Sequence, residues 1–123
     1  MNETNPTELM KRRTKHFALR IIRMTRTLAR TDESRVIARQ VLRCGTSVAA
    51  NYRAVCRARS KPEFIAKLGV VLEEADETVF WLEMLVEANI VKPAKMNDLL
   101  KEANELLAIF AASRLTALGK RSK

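Results

Sequence analysis

Apolar residues recur at alternating intervals of four and three along nearly the whole chain, and this most narrows what the chain can fold into. The first run is Phe17, Ile21, Met24 and Leu28. The second is Ile37, Val41, Cys44, Val48, Asn51 and Val55, with one polar member. The fourth is Met96, Leu99, Ala103, Leu106 and Phe110. Such spacing puts each set on one side of an α-helix and matches the a/d seams of packed helices. The third run differs: Phe64, Leu68, Val71, Ala75, Val79, Leu82 and Val86 follow an eleven-residue repeat, which favours a straighter course. No stretch alternates apolar and polar residues as a half-buried strand would.

The breaks in the pattern divide the chain. Thr31-Asp32-Glu33-Ser34 interrupts the first two runs, with Asp32 as the expected N-cap. Ser60-Lys61-Pro62-Glu63 has the spacing of a capping box with proline in the first turn. Val91-Lys92-Pro93 separates the last two. The expectation is four helices over about 7–30, 33–58, 61–90 and 94–117, joined by short connections in an antiparallel up-down-up-down bundle forming one domain over 1–123. Three glycines and three prolines leave too few turn residues for an all-β sandwich or barrel. The longest apolar run, Leu106 to Ala112, is far short of the roughly 18 residues of a membrane span. With no signal-like start, the reading is a cytoplasmic protein without membrane contact. The basic ends, Lys11-Arg12-Arg13 and Lys120 to Lys123, are expected to fray.

The net charge of +9 is unevenly placed. Residues 1–60 hold 14 Lys and Arg against 4 Asp and Glu, while residues 61–123 hold 9 against 10. The basic half is almost all arginine, whose planar fork suits phosphate and carboxylate alike. At 100° per residue, Arg35, Arg39, Arg53 and Arg57 lie opposite the apolar seam of the second helix, and Arg23, Arg26 and Arg30, with Arg20 at the margin, form a similar stripe on the first. One reading is a solvated helix face; the other is a surface for phosphates. With Tyr52 as the one aromatic of the second helix, backbone contacts would outweigh base stacking.

Leu19 and Ile22 lie off the first seam, and Val70, Trp81, Met84 and Leu85 off the third. A second apolar stripe either widens the core or marks a subunit interface, and self-association is the expectation. Six acidic residues crowd the third helix between Glu73 and Glu87. A di-metal bundle would need Glu-x-x-His motifs, and His16 is the one histidine, so the carboxylates are expected to pair with arginines; no metal, cofactor or catalytic residue is expected. Cys44 and Cys56 are twelve residues apart on one helix, about 18 Å, too far for a disulfide. Gly45-Thr46-Ser47 and Ala49-Ala50 keep the centre of the second helix small enough for another helix to come close.

The segment Gln40 to Ala54, QVLRCGTSVAANYRA, resembles the second-helix signature of the bacterial four-helix bundle proteins, also called 23S rRNA intervening-sequence proteins. Arg57 to Leu68 resembles that family's R-x-R-S…F-I-x-K-L segment, and Glu74 to Glu83 its E-A-x-E-T…W-L-E segment. The likeness spans about residues 15–115, and Cys44-Gly45 departs from the more common Ser-Ala. The resemblance implies an antiparallel four-helix bundle that assembles as a ring-like homopentamer. It also implies kinship with basic accessory proteins of diversity-generating retroelements, which bind nucleic acid and a reverse transcriptase. It carries over no catalytic residue.

The functional expectation is therefore a non-enzymatic, homo-oligomeric protein that binds nucleic acid, RNA before DNA, through arginine–phosphate contacts. Its rival is a structural adaptor whose arginines serve subunit interfaces or an acidic protein partner such as a reverse transcriptase. A bundle enzyme using the carboxylates of the third helix ranks last, for want of histidines.

Overall fold

The computed structural model describes residues 5–119. Four helices account for most of them: α1 (Pro6–Arg26), α2 (Asp32–Val55), α3 (Lys61–Glu87) and α4 (Pro93–Ala117). No strand occurs among the described residues. At 1.5 Å per residue the helices are about 30–40 Å long.

Local chemistry sets the ends. Asn5 caps α1, its side-chain oxygen accepting from the backbone N–H of Thr7 (2.8 Å) and Glu8 (3.3 Å). Thr31, not Asp32, caps α2: its backbone is extended and its hydroxyl accepts from Ser34 N–H at 3.3 Å. Asp32 instead occupies the first turn, where its charge meets the positive end of the helix dipole. Ser60 accepts from Glu63 N–H at 3.1 Å, and the Glu63 carboxylate reaches back to Arg59 N–H at 2.7 Å, so the expected box closes one residue further out. Lys92 gives α4 no side-chain cap; Pro93 begins it with a preset φ.

Three helices stop short of the expected bounds at 30, 58 and 90. α1 ends at Arg26 because Thr27 turns both its N–H (3.0 Å) and its hydroxyl (2.7 Å) onto Met24 O; Leu28 still packs on the core beyond that stop. α2 closes at Val55, with Arg57 and Ala58 bonded back three residues. α3 closes at Glu87, where Asn89 adopts φ 61° and Ile90 and Val91 both donate to Leu85 O. Asparagine tolerates the left-handed region better than most residues.

The buried residues follow the seams. Phe17 and Ile21 of α1, Ile37 to Val55 of α2, Leu68 to Leu82 of α3 and Met96 to Phe110 of α4 form one core, flanked by half-buried Met24, Phe64 and Val86. Asn51 is half-buried and bonds within its own helix, to Ser47 O (3.0 Å) and Ser47 Oγ (2.6 Å). Consecutive helices pack extensively and α1 and α4 touch only slightly; the backbones of α1 and α3, and of α2 and α4, stay apart, with Tyr52 of α2 reaching Phe110 of α4 across the core, ring centroids 5.7 Å apart. The four helices thus form a bundle with α1 and α3 on one diagonal. Gly45 lets α1 close on α2: a Cβ there would stand 2.9 Å from Ile21 Cγ1.

Candidate nucleic-acid interface

Because the buried seams of α1 and α2 face inward, their opposite sides form one continuous outer face. Arg23, Arg26, Arg30, Arg35, Arg39 and Arg53 are exposed on these helices and their connection, Arg57 is exposed just past the end of α2, and Arg20 is half-buried at the margin. Arg35 donates to Arg30 O at 2.9 Å and lies 3.6 Å from the fully exposed carboxylate of Asp32. The other seven make no ion pair with a carboxylate of the described residues.

Two further arginines behave differently, and they are the ones turned toward neighbouring helices. Arg13 grips Glu102 of α4 with two parallel bonds, Nε at 2.8 Å and Nη2 at 2.7 Å, and reaches Glu105 at 2.9 Å. Those bonds, Glu102 first, raise the pKa of its guanidinium. Far from fraying, Lys11 to Arg13 lie inside α1. Arg43 of α2 pairs with Glu74 (3.3 Å) and Glu77 of α3, and Trp81 Nε1 donates to the same Glu77 carboxylate at 3.4 Å. The expected pairing of arginine with the acidic third helix thus exists within the chain, through Arg43. The tail 120–123 lies outside the described residues.

Two clefts open along the α1–α2 seam. One, of about 500 Å³, has Lys11, Arg12, Lys15 and Arg53 around a floor of Thr46, Ala49 and Ala50. The other, of about 240 Å³, lies toward the opposite ends of the helices and has Arg26, Arg30 and Arg35 around Ala29 and Ala38. Lys11 and Lys15 did not figure among the expected binding residues. Their positions on the helical wheel, on the side of α1 that also carries Ile22, were the available signal; that this side borders α2 was not. Lys11 also lies 3.2 Å from Glu8 on its own helix.

The outward apolar residues do not form one patch. Leu19 and Val70 are each 42% exposed, and Ile22, Trp81 and Met84 are half-buried. Leu85, expected to face outward, is fully buried, because the third seam is wide enough to take it into the core beside Leu82. Phe80, which the spacing did not single out, is 49% exposed and stacks edge-on against Trp81 with centroids 4.9 Å apart. Leu19 and Ile22 belong to α1 and the rest to its diagonal partner α3, so the residues divide into two separate patches.

Burial pushes the Cys44 thiol up from its ordinary pKa, and its Sγ points to Val41 O. Among the described residues no three His, Cys, Asp or Glu side chains converge as metal ligands would. No helix among the described residues is long and apolar enough to cross a membrane.

The sequence model of the 23S rRNA-intervening sequence proteins matches residues 9–112. No curated protein matches the chain. Among solved structures, a protein of unknown function from the S23 ribosomal protein family of Bacteroides thetaiotaomicron is similar, with 30% sequence identity and a TM-score of 0.80 over 88% of this chain and 96% of that one.

Proposed function

The chain belongs to the 23S rRNA-intervening sequence protein family, and from the character of its α1–α2 face we propose that it is a non-enzymatic protein that binds nucleic acid, RNA before DNA, through arginine–phosphate contacts. One observation carries this reading. Arginines turned toward neighbouring helices, Arg13 and Arg43, have carboxylate partners, whereas seven on the outer face have none. A net charge of +9 is too large for internal pairing to absorb, and an arginine-rich face with few carboxylates is the electrostatic footprint of a phosphate-binding surface. Arg35→Ala combined with Arg39→Ala should flatten the dependence of log affinity on log salt by roughly one to two units, and weaken all sequences alike. Unchanged binding and an unchanged slope would leave a merely solvated face.

A second reading, self-association, draws on the two apolar patches. They sit on diagonal helices, and the α3 patch lies among Glu73, Glu83 and Glu87, opposite in charge to the α1–α2 face. Two unlike patches suit a head-to-tail contact, which closes into a ring when the rotation allows. The short connections and the pairing of Arg13 with Glu102 support an antiparallel protomer as the building block. An acidic protein partner, such as a reverse transcriptase, would use the same basic face, and that contact too would weaken in high salt.

A further inference from the structure

Both basic clefts are anchored on α2, the second also using the α1–α2 connection, so their separation is set by the fold. Arg35 lines one and Arg53 the other, and eighteen residues of α2 place them about 27 Å apart. Between them the face carries exposed Leu19 and Leu42, flanked by Arg23 and Arg39. No Phe, Tyr or Trp opens onto it. Phe17 and Phe110 are buried, Tyr52 and Phe64 pack on the core, and Phe80 and Trp81 belong to α3.

We infer that the two clefts are the ends of a clamp on the phosphate backbone of a double-stranded RNA segment, a specification that rests on the nucleic-acid reading above. The argument is one of preorganisation. A single strand offers affinity mainly through stacking on aromatic side chains, and this face has none. To set phosphates in both clefts a flexible strand must also be ordered across about 27 Å, at an entropic cost. A duplex is stiff over that length and carries twice the charge per unit of axis, so it arrives with phosphates already spaced along one side. The apolar stretch at Leu19 and Leu42 then faces the groove between phosphate rows, where no charge is needed. Lys11 and Arg35 would exchange their exposed intrahelical pairs, to Glu8 and Asp32, for phosphate, and such surface pairs are weak.

The test uses the full chain, a mixed-sequence RNA duplex and one of its strands alone, compared by fluorescence anisotropy across a salt series. With six contacts from Lys11, Lys15, Arg53, Arg26, Arg30 and Arg35, slopes of about −0.9 and −0.7 per contact make the duplex gain roughly tenfold over the single strand for each tenfold drop in salt. Lys15→Ala with Arg53→Ala removes one end, and Arg26→Ala with Arg30→Ala the other. Each pair should lower the duplex slope by about two units and remove most of the duplex advantage. Glutamine in place of alanine, with helix content measured by circular dichroism, gives a second version should either pair unfold. Equal or tighter binding of the single strand overturns the clamp and leaves nucleic-acid binding standing, and so does a duplex advantage that survives loss of either end. Failure to bind either form overturns the underlying reading with it.

Discussion

Gly45 sets how closely α1 and α2 approach each other. Its missing Cβ is filled from across the interface by Ile21, a fully buried side chain with no room to withdraw. Alanine there gains about 1 kcal/mol of helix propensity but overpacks a rigid neighbour, at a cost of about 1–3 kcal/mol. Gly45→Ala should therefore destabilise the protein by about 1 kcal/mol in urea titrations. At Gly69 the new Cβ would meet Arg114 Nε at 3.2 Å, a half-buried and adaptable side chain, so Gly69→Ala should be neutral or gain up to about 1 kcal/mol. Equal shifts for the two variants would refute the role given to Ile21. Tyr52 offers a pH test. Burial, with Cys56 beside it, raises its phenol to about 12 from an ordinary value of 10.0. The native state thus holds its proton where the unfolded state loses it. The contribution is complete below about pH 10 and is lost as pH rises through about 12. Tyr52 is the one tyrosine of the chain, so phenolate absorbance follows it directly. Tyr52→Phe should lack the extra loss of stability across that window, and parallel pH profiles for the two proteins would contradict the assignment.

At the scale of the elements, the helices were legible because their apolar sides repeat with the period of the backbone. Their ends were less so. The spacing carried α1 to residue 30, since Leu28 does reach the core, but a residue can pack there from a turn as well as from a helix. Capping by Thr31 rather than Asp32, and the stop at Asn89, depend on φ and ψ, which neighbouring residues decide together. The loose α1–α4 edge shows what one ion pair can do for an element. Little else joins these helices, and Arg13 holds Glu102 through a bidentate, partly shielded pair. Arg13→Met should cost about 1 kcal/mol and quicken amide exchange in the first half of α1 more than in α2. Uniform acceleration across all four helices would show that the pair has no local role.

For the whole molecule, the distribution of charge matters more than its sum. The Trp81–Glu77–Arg43 linkage ties the α2–α3 edge together and leaves Phe80 and Val70 outward, while the basic face lies around α1 and α2. If copies associate through the α3 patch, light scattering should give a multiple of the 14.0 kDa protomer, roughly 70 kDa for a ring of five. Phe80→Glu should dissociate it with helix content intact, since that ring is half exposed and outside the core. A monodisperse protomer at micromolar concentration would exclude the association.

The four seams, the helical class and the arginine stripes could all be read from residue spacing, because helical periodicity projects a one-dimensional pattern directly onto a surface. Which of those surfaces adjoin could not. The grouping of Lys11 and Lys15 with Arg53 depends on α1 lying beside α2 in one register. The same packing gave Arg43 its carboxylates, took Leu85 inward and set Leu19 apart from Val70. Those outcomes follow from how side chains from different helices fill a shared core, and the sequence of any single helix holds only half of each such contact.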